Sequence, residues 1–259
     1  MALLDRLRKK PLSGTQGGAA RSYPEGKRMY CIGDIHGRAD LLDDLHAQIR
    51  EDASNFDGVN QLLYLGDFID RGDESRRVID LLISQPLPDF EYIYLLGNHE
   101  QSMLDFLLDA GAMAGWLHWG GRETLLSYGI NVPLTPAPSD LDELRVLLEC
   151  ALPAKHLHFL QNCTLSHTEG SYYFVHAGIR PGVKLERQDF QDQLWIRDAF
   201  TRSTRDHGAV VVHGHTISEE VEFLPNRIGI DTGAYQSGVL TALVLEGNSQ
   251  RLLQTGGGS

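Results

Sequence analysis

Residues 91–110 read EYIYLLGNHEQSMLDFLLDA, and their reading decides the fold. The run Glu91–Leu96 is rich in aromatic and branched residues and predicts a strand. Residues 100–110 carry a helical pattern. Between the two stand Gly97, Asn98, His99 and Glu100, three of which are costly to bury. Taken alone, Gly-Asn is a turn signal and Glu a helix starter.

The same strand-then-helix unit occurs twice upstream. Residues 29–33 predict a strand, followed by a helix over 39–50 with Leu41, Leu42, Leu45 and Ile49 on one face. Residues 61–66 predict the next strand, and 74–85 a helix with Val78, Leu81 and Leu82 in register. A β-α-β-α-β-α order is the pattern of a layered α/β domain. Residues 111–165 differ and are expected to be an insertion over one face of the sheet, with a helix at 140–151. Strands are expected again at 172–176, 209–213, 227–231 and 239–245, with few helices between them, so this half should be partly antiparallel. No internal repeat is found, and QTGGGS at 254–259 is expected to fray.

The bulk numbers agree with one large domain, or at most two: 259 residues, 42% hydrophobic and 22% charged. No run of 18 apolar residues predicts a membrane span, and MALLDRLRKK lacks the long apolar segment of a secretory signal. Three cysteines, Cys31, Cys150 and Cys163, show no metal spacing, which favours reduced thiols and a cytoplasmic location. The net charge is −12, but residues 1–28 carry seven Lys/Arg against Asp5 and Glu25. An acidic body argues against nucleic acid as a partner. The expected organisation is a flexible basic tail over 1–27 and a single catalytic domain over 28–250, with 111–165 inserted in it.

Each strand end carries polar residues of metal-binding type. The first runs into GDIHG (33–37), the second into GDFIDRGD (66–73) and the third into GNHE (97–100). The later strands run into HAG (176–178) and HGHT (213–216). Sites in α/β sheets form outside the carboxyl ends of strands. Asp34 and His36 are two apart, which in extended chain points both side chains one way. His36 to Asp67 and Asp67 to Asn98 are each 31 residues. Asp67 can bridge two ions with its two oxygens, Asn98 offers an amide oxygen, and His176 and His215 offer imidazoles. Mixed N/O donors suit manganese, iron or zinc better than calcium or magnesium. Two ions about 3.5–4 Å apart would activate a hydroxide near neutral pH.

In this order the motifs GDIHG, GDFIDRG, GNHE, HAG and GHT resemble the phosphoprotein phosphatase family of the metallophosphoesterases. The likeness covers residues 28–245, and the insertion and WIRD (195–198) are similar to its bacterial branch. The resemblance implies a four-layer α/β/β/α sandwich of two mixed sheets with an inserted helical cap and two divalent ions at one edge, manganese first among the choices. It further implies that Asp34 and His36 bind the first ion, that Asp67 bridges, and that Asn98, His176 and His215 bind the second. His99 would be the general acid, Asp70 would hold it, and Arg71 would grip phosphoryl oxygens, with Arg197 as a second clamp. Attack would be direct, by a bridging hydroxide, with no phosphoenzyme.

Two departures bear on substrate. HAGIRPG (176–182) is also similar to diadenosine tetraphosphate hydrolases, which usually carry Asp where this chain has Glu100. Glu100 tilts the expectation towards phosphoserine and phosphothreonine, with phosphotyrosine also open. The alternatives are dinucleoside polyphosphates or another small phosphate ester, and a non-enzymatic metal-binding scaffold. Glu100 itself is expected to brace the ions' ligands without touching the ions. His213 is expected beneath the site or in the core, and Asp231 either orients a ligating histidine or caps a turn. His118, His156, His158 and His167 carry no motif and read as surface or packing residues. Trp116, Trp119 and Tyr128 read as packing, with one of them a possible rim to the substrate site.

Overall fold

The computed structural model describes residues 21–256. Two five-stranded mixed sheets lie face to face. In the first, β1 (Lys27–Ile32), β2 (Val59–Tyr64) and β3 (Phe90–Tyr94) run parallel. The C-terminal hairpin of β9 (Thr241–Glu246) and β10 (Ser249–Gln254) adds antiparallel to β1. In the second sheet β5 (Tyr172–Val175), β6 (Val210–His213) and β8 (Arg227–Gly229) are parallel, flanked by antiparallel β4 (Ser166–Glu169) and β7 (Glu222–Phe223).

The strands are apolar on both faces because both faces are covered. Met29, Cys31, Leu63, Leu65, Leu243 and Leu245 meet Phe174, Val212 and Ile228 between the sheets. The alternate residues Tyr30, Ile32, Leu62 and Tyr64 point outward into a second core. Three crossover helices build that core: α1 (Ala39–Ala53), α2 (Ser75–Ser84) and α3 (Asn98–Leu108). They bury Leu42, Leu45, Val78, Leu82, Met103 and Phe106. The inserted helices α4 (Gly121–Ser127), α5 (Pro138–Ala151) and α6 (Ala154–Gln161) extend the same layer through Leu125, Leu148 and Leu160. The outer face of the second sheet has a thinner cover, α7 (Phe190–Trp195) and α8 (Asp198–Thr201), with Phe200 in its centre. The last helix, α9 (Ala234–Ser237), is one turn beside the site.

Several sequence expectations change here. The ordered body starts before residue 28: Tyr23 is buried and bonds to Gln61, and its N–H reaches Gly247 O at 2.7 Å. The part of the basic tail over 1–20 lies outside the described residues. The C-terminal stretch is tied down rather than frayed: Gln254 ends β10, and the buried Thr255 donates its N–H to Leu240 O at 3.0 Å. Residues 257–259 lie outside the described residues. The helix expected from Glu100 begins two residues earlier, so Asn98 and His99 belong to its first turn. Among the described residues no helix is long and apolar enough to cross a membrane.

Leu63 sits fully buried in the inter-sheet core. Leu63→Ala is expected to cost about 2–5 kcal/mol, read as a lower denaturant midpoint at unchanged slope. A loss under about 1 kcal/mol would mean that the two sheets do not depend on this contact.

Candidate metal centre and cleft

The site forms where β1, β2 and β3 end against the ends of β5 and β6. Gly97, the residue before α3, approaches the β2 end so closely that a Cβ there would lie 2.2 Å from both Asp67 N and Asp67 Oδ1. Only glycine permits this contact. It lets Asp67 Oδ1 accept the His99 N–H at 3.1 Å, satisfying a first-turn donor of α3 from a neighbouring strand. Glu100 reaches back to Gly97 N–H at 3.0 Å, the half of a capping box that glycine leaves available. The same carboxylate accepts the N–H groups of Asp67 (2.8 Å), Phe68 (2.8 Å) and Ile69 (3.2 Å). Burial and the Asp67 charge raise the Glu100 pKa to about 8 in the ion-free site, while the N–H donors pull it down.

Asp67 is central. His36 Nε2 lies 3.5 Å from its Oδ2, and His176 Nε2 lies 3.4 Å from its Oδ1. Asp67, His176 and His215 form one tight group of donors, and His36, Asp67 and His99 another. Asp34 stands slightly apart, accepting the His215 N–H at 3.0 Å, in space that exists because residue 214 is glycine. Asn98 Oδ1 is 2.9 Å from His176 Nε2. All six expected ligands are thus buried and converge on one pocket.

The expected reason for the Asp34–His36 pairing does not hold. His36 has φ 45°, as do its partners in kind: Asp67 at 52°, Asp70 at 73°, Arg71 at 69° and His215 at 62°. The loops leave the sheet through left-handed turns, so parity along an extended strand does not place these side chains. Such a residue costs about 1–3 kcal/mol, and five of the seven non-glycine cases among the described residues fall at this site.

The donor chemistry fits divalent ions. His36 Nδ1 lies 2.9 Å from Ile69 O, and His176 Nδ1 lies 3.0 Å from Leu65 O. A carbonyl only accepts, so each Nδ1 holds the proton and each Nε2 turns a lone pair inward. His36 Nε2 and His215 Nε2 are buried without a hydrogen-bond partner. Two acceptors, Asn98 Oδ1 and His176 Nε2, face each other as oriented, an arrangement that a cation between them makes favourable. Burial lowers the pKa of His36 to about 3 and that of His215 to about 2, keeping both rings neutral. Burial, then Asp231 and Asp67, push Asp34 well above the carboxylate range, and a cation beside it would favour its ionised form.

Beside the expected ligands lies a hydrogen-bonded histidine–aspartate pair. His99 Nδ1 is 2.6 Å from Asp70 Oδ2, and its Nε2 faces the cleft 3.2 Å from Arg71 Nη2. Burial alone would lower the His99 pKa; Asp67 and the bond to Asp70 outweigh it and raise the pKa above the ordinary value.

Asp70 is itself held by two residues of the insertion. Trp116 donates its Nε1–H to Oδ2 at 2.7 Å, and Thr124 donates its hydroxyl to Oδ1 at 2.6 Å. Trp116 read as packing, and it is buried against Phe106, yet its polar edge serves the site. Only the need of a buried indole N–H for an acceptor signalled this.

Other residues fall as follows. His213 points away, bonding Gly214 O through Nδ1 (3.0 Å) and Arg227 Nη1 through Nε2 (3.2 Å). Asp231 accepts the Gly233 N–H at 2.9 Å, as a turn cap, and its carboxyl adjoins Asp34 rather than orienting a histidine. Tyr128 and His156 bond to each other at 2.8 Å, and His156 reaches Asp80. A cleft of about 720 Å³ opens off the ligands, with Arg71, Trp119, Trp195, Arg197 and Tyr235 in its walls. Tyr235 carries no motif and was missed; the Arg71 guanidinium lies 4.8 Å from its ring centre.

The profile of the calcineurin-like phosphoesterase family matches residues 27–237, and the chain belongs to that family of phosphoric ester hydrolases. Its members use divalent metal ions. The chain is 26% identical over 233 residues to the bis(5′-nucleosyl)-tetraphosphatase (asymmetrical) PrpE of Bacillus thuringiensis, covering 82% of this chain and 88% of the relative. It is similar in fold to a solved structure provisionally named a diadenosine tetraphosphatase, at TM-score 0.59 and 20% identity over 89% and 95% of the two chains. It is also similar in fold to the cold-active protein-tyrosine phosphatase of a psychrophilic Shewanella, at TM-score 0.54 and 17% identity over 92% and 82%.

Every partner of the Glu100 carboxylate is a donor, which an amide cannot satisfy. Above pH 8, where the carboxyl is ionised, Glu100→Gln is expected to destabilise the chelator-treated protein by about 1–3 kcal/mol and to weaken metal uptake, both measurable by thermal melts with and without Mn²⁺. A variant as stable as the parent would show that Glu100 is protonated in the folded chain.

Proposed function

We propose that the chain is a two-metal hydrolase of dinucleoside polyphosphates. The observation that carries this is the cleft: about 720 Å³ opening directly off the ligands, with two guanidiniums, Arg71 and Arg197, in its wall. That volume lies in the upper part of the range for small-molecule sites, and two cations suit a chain of phosphates better than one isolated phosphoryl group. The relatives named as bis(5′-nucleosyl)-tetraphosphatases, which align over four-fifths of this chain, support the same substrate class.

In this reading Asp34, His36 and Asp67 hold one ion, and Asp67, Asn98, His176 and His215 hold the other. Manganese suits the mixed donors best, with iron or zinc as alternatives. When bound, the ions supply Lewis-acid charge at the phosphoryl oxygens and make water acidic enough to act near neutral pH. Arg71 and Arg197 orient the phosphate chain with forked donors. Engaging a phosphoryl oxygen draws the Arg71 guanidinium off His99 Nε2. Once Nε2 is free it takes a proton from solvent, which the raised pKa of His99 favours; Asp70 holds Nδ1–H, and the doubly protonated ring gives its Nε2 proton to the departing oxygen. The three unpaired cysteines suit a reducing, cytoplasmic setting.

A phosphoserine or phosphothreonine phosphatase is the second reading, favoured by Glu100 in GNHE. That residue lies beneath the site and is fully buried, binding backbone N–H groups, so its link to substrate is indirect.

Turnover of diadenosine tetraphosphate and of a phosphopeptide panel by the Mn²⁺-loaded protein separates the two. The dinucleotide is expected to lead in kcat/KM by about tenfold or more, a difference of about 1.4 kcal/mol. Preference for phosphopeptides would reverse the substrate assignment, and inactivity on both and on an aryl phosphate would remove catalysis altogether.

His99→Asn is expected to slow cleavage of a poorly leaving alkyl phosphate by about 10²- to 10⁴-fold and that of p-nitrophenyl phosphate far less. Equal losses on both would argue against His99 as the acid.

A further inference from the structure

Two tryptophans stand side by side in the wall of the cleft, and the chemistry at the ions uses neither. Trp119 ends the 3₁₀ turn Ala114–Trp119 of the insertion, and Trp195 ends α7. Their rings meet at 5.7 Å with an interplanar angle of 67°. Trp195 is backed by His215 at 6.3 Å, so it cannot retreat towards the ligands. Trp119 is 44% exposed, although it sits on a part of the chain that buries its neighbours Trp116 and Leu117. An indole left open at the mouth of a cationic cleft is a ready surface for an aromatic ligand.

We infer that the Trp119–Trp195 wall is a nucleobase subsite, stacking one base of the substrate while Arg71 and Arg197 hold the phosphates. This rests on the dinucleotide reading above and adds to it where the base lies. A flat π-face accepts any base, so the subsite favours nucleotides over base-free phosphates without reading base identity. Arg122 also borders the cleft but is not free to hold phosphate. Its guanidinium donates to Val132 O at 2.8 Å and to Leu134 O at 3.1 Å, and also to Pro133 O. It therefore fixes the segment behind Trp119. The insertion also lines the cleft with Leu117, His118 and Glu123, so Trp119 is its one large aromatic surface there.

The test is calorimetric binding to the Mn²⁺-loaded protein of a matched pair: adenosine 5′-(α,β-methylene)diphosphate, and methylenediphosphonate as the base-free probe. The parent is expected to bind the nucleotide more tightly. Trp119→Ala should weaken nucleotide binding by about 5- to 150-fold, the range for losing one base–aromatic stack, and Trp119→Phe should restore part of it. Methylenediphosphonate affinity should change far less, which also reports that the variant is folded. Equal affinity of the parent for both probes, or equal loss of both in Trp119→Ala, would overturn the subsite. Diadenosine tetraphosphate turnover, measured on the same samples, judges the parent reading separately. Cleavage without a base-dependent gap removes the subsite alone. A gap without cleavage removes the dinucleotide hydrolase and leaves a nucleotide-binding wall.

Discussion

One buried carboxylate holds the active edge together. Glu100 takes N–H groups from the end of β2 and from the turn after β3. Two parallel neighbours have no hairpin to fix their ends, so without Glu100 the relative position of Asp67 and Asn98 would rest on the sheet ladder and the single His99 N–H bond to Asp67. The bracket also faces a strained loop. Asp67, Asp70 and Arg71 all have positive φ, and each such residue persists only where its surroundings over-determine it. Here the surroundings are specific: Glu100 on Asp67 to Ile69, and Ser75 and Thr124 hydroxyls on the Asp70 N–H at 3.0 and 2.9 Å. Strain at the loop and satisfaction by fixed acceptors are two sides of one arrangement.

The insertion takes part in the same arrangement. Its outer helices merge with the core on the first sheet, so it is no detachable cover. Its 3₁₀ turn supplies Trp116 and its helix α4 supplies Thr124 to Asp70, and Gly120 O between them accepts the Arg71 N–H at 3.3 Å. The orientation of His99 therefore depends on residues about 20 positions further along the chain. The Asp70 contacts and part of the cleft wall come from the same short stretch, residues 116–124, so the cleft lining and the His99–Asp70 pair share one support. Changes at Trp116 or Thr124 would therefore disturb Asp70 directly, whereas Trp119 makes its aromatic contact with Trp195.

Much of this was legible in the sequence, for identifiable reasons. Runs buried on both faces, such as those around Cys31 and Leu63, read as strands because nothing polar interrupts them. Polar residues at five strand ends named the pocket before any geometry was available. Two edge strands were illegible, β4 (Ser-His-Thr-Glu) and β10 (Ser-Gln-Arg-Leu-Leu-Gln), half-exposed segments whose pattern is weak, whereas the edge strand β3 was marked by its aromatic residues. Tyr23 was lost inside a tail that composition marked as polar. Conformation at the site was illegible too, because histidine and aspartate at positive φ look like any other. Trp116 was hidden because an indole's packing surface dominates its pattern while one N–H decides its role. The substrate expectation leaned on Glu100, a residue whose contacts are all with backbone.

Electrostatics explains why such a site needs its ions for more than chemistry. The chain carries a net charge of −12, and a polyphosphate approaching it is repelled over much of the surface. Inside the pocket Asp34, Asp67 and Asp231 are buried close together, against neutral imidazoles whose lone pairs add no positive charge. Arg71 and Arg197 alone do not reverse that balance. Two divalent cations would turn the carboxylates from a cost of folding into a ligand set, and would turn the local field from repelling to attracting phosphate. The same carboxylates that burial penalises thus become the reason an acidic protein can bind an acidic substrate. On the proposed reading, the two arginines would then set where along the cleft the phosphate chain lies.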